Sequence, residues 1–189
     1  MIQRLLLLVP VCFAIGLTAS PARADDYEKT IDVFRKAGES ADFFEPAYGY
    51  AVFPTIGKGG IGFGAAYGKG RVYKKGEHVG NCSITQATFG FQLGGQAYSQ
   101  IVFFKDERAF KEFTSGSFEF GAEASAVAIT AAAGAKANTA GTSAGASAGK
   151  NDAKVVGTWH KGMATFTVAK GGLMYEASIG GQKFGYKPR

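Results

Sequence analysis

Cysteine, proline, tryptophan and histidine are all scarce in this chain, at 2, 5, 1 and 2 residues among 189. Two cysteines cannot staple a disulfide scaffold, and so little proline excludes a collagen. With 19% charged and 46% hydrophobic residues, the chain is too apolar for a disordered tail and too weakly charged for a coiled coil. His78 and His160 have no neighbouring ligand set, so no metal site is indicated. An unbroken apolar run of the ~20 residues that a membrane helix requires is also missing. What is abundant is glycine, 28 residues, in company with 13% aromatics. That pairing favours tight turns and closely packed strands in one domain.

Residues 1–24 carry the parts of a secretory signal peptide: Arg4, an apolar stretch over 5–17 broken by Pro10, and the small-residue site Ala22-Arg23-Ala24. Cleavage is expected after Ala24, with the mature protein exported to the periplasm or lying peripherally on a membrane there. Nucleic acid is then no partner. Cys82 is left as a single thiol, which excludes an internal disulfide and reads as a small buried hydrophobe.

The net charge of +6 is spread unevenly. Residues 25–45 hold 7 acidic and 3 basic side chains, whereas 46–76 hold Lys58, Lys69, Arg71, Lys74 and Lys75 and no acid. Residues 153–189 hold 6 basic side chains against Glu176 alone. Basic stretches of this kind either form a surface for anionic partners, such as phospholipid head groups, or solubilise strand edges.

Within the helical segment 25–47, Tyr27, Ile31 and Phe34 recur at i, i+4 and i+7 and share one helix face. The opposite face is of mixed charge, which favours docking of this stripe on the domain; in a bilayer-bound helix the same three side chains would insert. From Tyr48 the pattern becomes that of strands. Residues 60–71 alternate glycine or alanine with Ile61, Phe63, Ala65, Tyr67, Lys69 and Arg71, so one face is nearly bare backbone. Such a stripe needs close packing inside the protein or a ligand against it. Gly57-Lys58-Gly59-Gly60 reads as a turn, Lys75-Gly76-Glu77 and Gly94-Gly95 as hairpin turns, and Gly171-Gly172 and Gly180-Gly181 as breaks between closing strands. Asp106 caps a helix with Ala109, Phe110 and Phe113 inward and the pairs Glu107 to Lys111 and Arg108 to Glu112 outward. Residues 131–150 form a low-complexity Ala/Gly/Ser/Thr insert.

Two catalytic patterns match formally and are rejected. Gly57, Gly59 and Gly62 fit G-x-G-x-x-G, but alternation continues where a dinucleotide site needs a helix. Ser143 and Ser147 each fit G-x-S-x-G with Asp152 and His160 behind them, yet no strand precedes them to build a nucleophile elbow. No catalytic residue, metal or cofactor is expected.

Four ordered blocks carry a resemblance. Tyr48-Gly49-Tyr50-Ala51-Val52-Phe53-Pro54 with Gly68-Lys69-Gly70-Arg71-Val72-Tyr73 resembles the opening of the SYLF lipid-binding domain family. Phe89-Gly90-Phe91-Gln92-Leu93-Gly94-Gly95-Gln96, Gly121-Ala122-Glu123-Ala124-Ser125 and Ala169-Lys170-Gly171-Gly172-Leu173-Met174-Tyr175-Glu176 are similar to its later blocks, the last in exported bacterial members. The resemblance implies a SYLF-like domain over 48–189 that binds phospholipid, with phosphoinositides and actin as partners of eukaryotic members. It also implies a basic helix ahead of the domain, where this chain is net acidic. The combined expectation is an α+β domain, a glycine-rich, mostly antiparallel sheet curled into a barrel or sandwich and flanked by short helices. It would bind anionic phospholipid, without enzymatic activity, through Lys58, Lys69, Arg71, Lys74 and Lys75. The alternatives are a small outer-membrane β-barrel or a structural envelope protein.

Overall fold

The computed structural model describes residues 23–120, 127–129 and 159–189. In chain order the elements are α1 (Ala24–Lys36), α2 (Gly38–Ala41), β1 (Gly49–Lys74), β2 (Glu77–Phe104), α3 (Glu107–Phe113), β3 (Phe118–Phe120), β4 (Val127–Ile129) and β5 (Met163–Pro188). The expected leader, up to its last two residues, the insert 131–150, Ser143, Ser147 and Asp152 lie outside the described residues. The G-x-G-x-x-G pattern gains no helix after Gly62, because β1 runs straight through it as strand.

One sheet has the order β1-β2-β5-β3, antiparallel throughout, with β4 added parallel to β5. The first hairpin falls where expected: Lys75 (φ 51) and Gly76 (φ 85) both take the left-handed conformation of a tight hairpin turn. The other expected turns are not breaks. β1, β2 and β5 are continuous over 26, 28 and 26 residues, and the glycines meant to end strands lie inside them.

Their register explains why. Gly57 pairs Ala97, which pairs Gly171; Gly59 pairs Gly95; Gly60 pairs Gly94. These neighbouring glycine-rich rungs form one crease, and the ladder continues through it while the ribbon doubles back just beyond Gly60, which lies against the Phe63 carbonyl. Contacts on either side show that it bends back on itself. Phe53 packs on Phe184 at 5.8 Å between ring centroids, Tyr98 donates to Gln86 Oε1 at 3.0 Å, and the Gln100 amide nitrogen donates to Gln182 Oε1 at 3.2 Å. Each pair joins the half of the ribbon before the crease to the half beyond it. The result is a curled α+β half-barrel of two leaves, in which one sheet supplies both layers. The outer-membrane barrel weighed above would need many strands of ~10 residues alternating toward lipid, not three long strands folded double.

Between the leaves lies an aromatic core of Phe53, Phe104, Phe113, Phe118, Phe120 and Phe184, closed at one end by α3. The near-bare face of β1 points into it. A Cβ at Gly68 would lie 2.6 Å from Ile56 Cγ1. The glycine stripe therefore exists to let the leaves approach, which is the close-packing reading rather than the ligand reading. Buried Cys82 sits in the same core, where burial pushes its thiol well above the ordinary value and leaves it inert.

A second core covers the outer side of the leaf that precedes the crease. There Tyr50, Val52, Ile101, Phe103 and Phe166 meet Tyr27, Ile31 and Phe34 of α1. Those three side chains are 5%, 7% and 0% exposed, so α1 takes the docked arrangement and none of them is available for insertion while it stays docked. Ser40 Oγ donates to the Phe34 carbonyl at 2.6 Å, satisfying a group the helix end leaves open and turning the chain into α2.

α3 forms as its sequence indicates. Asp106 Oδ1 accepts from the Ala109 N–H at 2.8 Å, and Glu107 to Lys111 and Arg108 to Glu112 both pair at 3.1 Å. Asp106→Ala should lower stability by about 1 kcal/mol, read as a shifted urea midpoint with an unchanged slope.

Candidate functional site

With α1 over one leaf, the leaf beyond the crease keeps its outer face open. Because residues paired in register point to the same side, that face reads off in rows. Nearest the crease are Ile61 and Phe63, then Ala65 opposite Ala87 and Gly181, then Tyr67 opposite Thr85 and Lys183. Lys69 follows opposite Ser83 and Gly185, and last come Arg71, Asn81 and Lys187. The face grades from apolar at the crease to basic at the hairpin end. Ile61, Phe63 and Tyr67 are 79%, 70% and 45% exposed, an unusual amount of apolar surface for three of four successive outward positions.

The basic end borders a groove of about 430 Å³, lined by Tyr27, Tyr67, Lys69, Asn81, Ser83 and Lys187 among others. Arg71 lies 4.2 Å from the centroid of the Tyr27 ring, so its guanidinium bridges α1 and the sheet by a cation–π contact. Burial holds the Tyr27 phenol above its ordinary value, against the opposing pull of Arg71. Lys183 pairs with Glu119 of β3 at 3.0 Å, both side chains being well exposed. Such a pair contributes little to stability and leaves the lysine free to exchange partners.

The five basic residues singled out in the sequence do not form one patch. Lys69 and Arg71 share the open face. Lys58 is 8% exposed within the crease, since β1 does not turn outward there. Lys74 passes to the α3 side, its Nζ 5.0 Å from the Tyr48 ring and 5.8 Å from the Phe110 ring, and its hydrogen bond to Tyr48 raises its pKa. Lys75 sits at the hairpin turn beyond the sheet. The lysines that join Lys69 are instead Lys183 and Lys187, about 100 residues away in sequence but only two strands away in space, roughly 10 Å between backbones. The excess of basic residues over 153–189 was the available signal for them.

Among the described residues no group of His, Cys, Asp and Glu is placed to hold a metal ion, and no helix is long and apolar enough to cross a membrane. The model of the family described as Ysc84, Las17-binding protein actin regulator, matches residues 85–186. The chain belongs to the Ysc84 (SYLF) family. In this family member the matched segment contains β2 from Thr85 onward, α3 and nearly all of β5, while β1 precedes it. Beta cell expansion factor A of Aeromonas veronii is similar, 26% identical over 159 residues that cover 82% of this chain and 51% of the relative. The chain thus spans about half the length of that curated relative. No solved structure matches the chain.

Proposed function

We propose that this SYLF-family protein is a non-enzymatic binder of anionic phospholipid, acting at a membrane surface in the bacterial envelope after export through residues 1–24. The observation that carries this reading is the open outer face, where Lys69, Lys183 and Lys187 converge from two strands beside the groove. Each lysine near an anionic surface contributes about 1 kcal/mol, and salt removes that contribution within a Debye length of ~10 Å. Family membership supports a binding role.

The mature protein should co-sediment with vesicles of equal parts phosphatidylcholine and phosphatidylglycerol at low salt. It should bind pure phosphatidylcholine far less, and raising the salt should narrow the difference. Equal recovery with charged and neutral vesicles at low salt would refute recognition of anionic lipid.

A further inference from the structure

The crease of the ribbon is unlike the rest of the molecule. Residues 84–104 of β2 contain no charged side chain, residues 59–68 of β1 contain none, and across the crease β5 contributes only Glu176 between 171 and 182. At its outer edge Ile61 and Phe63 stand 79% and 70% exposed, where the register skips between them. A soluble surface does not ordinarily place two large apolar side chains at the apex of a bend this poor in charged residues, with Glu176 on β5 and Lys58 buried within it.

Distances along β1 relate this apex to the basic rows. At about 3.3 Å per residue, Tyr67 lies roughly 13 Å and Lys69 roughly 20 Å from Phe63, less along the membrane normal if the strand is tilted. The polar layer on each side of a ~30 Å hydrocarbon core is about 6 Å thick. Inclined about 60° from the membrane normal, the strand puts Tyr67 about 7 Å above an apex seated at the acyl boundary, among the head groups where aromatic residues with a polar tip are favoured, with Lys183 in the same row and Lys69 about 10 Å above the boundary. Lysines outside and apolar residues at the tip match the charge and polarity order of an anionic leaflet.

We infer that the glycine crease is a membrane wedge: Ile61 and Phe63 enter the outer acyl region of an anionic bilayer while Tyr67 marks the interface and Lys69, Lys183 and Lys187 hold the head groups. This rests on the lipid-binding reading and adds a depth and an orientation to it. α1 is not the inserting element, because its apolar stripe is spent on the sheet.

The test combines binding with depth. Ile61→Ser with Phe63→Ser should shift the thermal midpoint by no more than a few degrees, since the two side chains are 79% and 70% exposed. It should weaken binding to phosphatidylcholine/phosphatidylglycerol vesicles by about a hundredfold, on the order of tenfold per buried side chain. The loss should persist at high salt, unlike that from lysine substitutions. A Phe63→Trp reporter in a Trp159→Phe background should then be quenched by lipids brominated on their acyl chains. Unchanged binding by the serine variant together with no quenching would overturn the wedge and leave electrostatic recognition standing. Failure of the wild-type protein to bind either vesicle would overturn both readings. Self-association of the wild-type protein without vesicles, abolished in the serine variant, would assign the apex to a second copy and overturn the wedge as well.

Discussion

Gly70→Val should destabilise the protein by about 3 kcal/mol, near the upper end for overpacking a core. A Cβ at that position would lie 2.6 Å and 2.7 Å from Phe53 ring carbons and 2.8 Å from Cys82 Sγ, and Val adds two further carbons. Phe53 cannot step aside, because it is wholly buried and packs on Phe184 from the other leaf. The leaves would have to separate, opening the core along its length. At this chain size the thermal midpoint should fall by roughly 6–12 °C. Ala65→Val, on the exposed face of the same strand, is the control and should stay within about 0.5 kcal/mol of wild type. Equal midpoints for the two variants would mean that the leaves do not meet at Gly70.

Lys69→Glu combined with Lys187→Glu should nearly abolish vesicle binding while the fold survives. Both side chains are exposed and make no core contact. Reversal removes two attractions and adds two repulsions, so at about 1 kcal/mol each the loss is about 4 kcal/mol, on the order of a thousandfold at low salt. Lys105→Glu, an exposed lysine where β2 leads into α3, should have a much smaller effect on the same vesicles. If the two substitutions were equivalent, net charge rather than the arrangement on the open face would govern binding. If the double reversal were silent at low salt, Lys69 and Lys187 would not be head-group ligands.

The two predictions address different consequences of one feature. Residues 60–71 alternate, and each face has its own task. The glycine side lets two leaves of one ribbon close on a shared aromatic core, and the other side presents the gradient from Ile61 to Arg71. Period-two alternation was legible in the sequence because β geometry demands it. So were α3 with its Asp106 cap and outward ion pairs, the Lys75-Gly76 turn, and the apolar stripe of α1, all of which depend on residues within one or two turns of each other.

The glycine pairs at 59–60, 94–95 and 171–172 show where local reading stops. By themselves they are turn signals, and only the ladder converts them into a crease through unbroken strands, Gly59 and Gly60 pairing Gly95 and Gly94 while Gly171 and Gly172 pair the adjacent Ala97 and Gln96. Reading them as turns also put Lys58 at the surface, whereas β1 carries it through the bend and buries it. Lys74 leaves the patch by plain alternation, since Lys69 and Arg71 share one face of β1 and Lys74, three residues after Arg71, takes the other. Lys183 and Lys187 were gained because β5 returns beside β2, an association that no spacing along the chain encodes.

What the sequence alone determined is therefore the periodic part of this protein: a glycine-rich antiparallel sheet, short amphipathic helices and the membership of a SYLF block pattern. Which cations share a surface, which lysine is buried, and that an apolar apex projects from the bend were decided only by tertiary structure. The physical reason is that backbone periodicity is a property of neighbouring residues, whereas a binding face is assembled by strand register across about 100 residues of intervening chain.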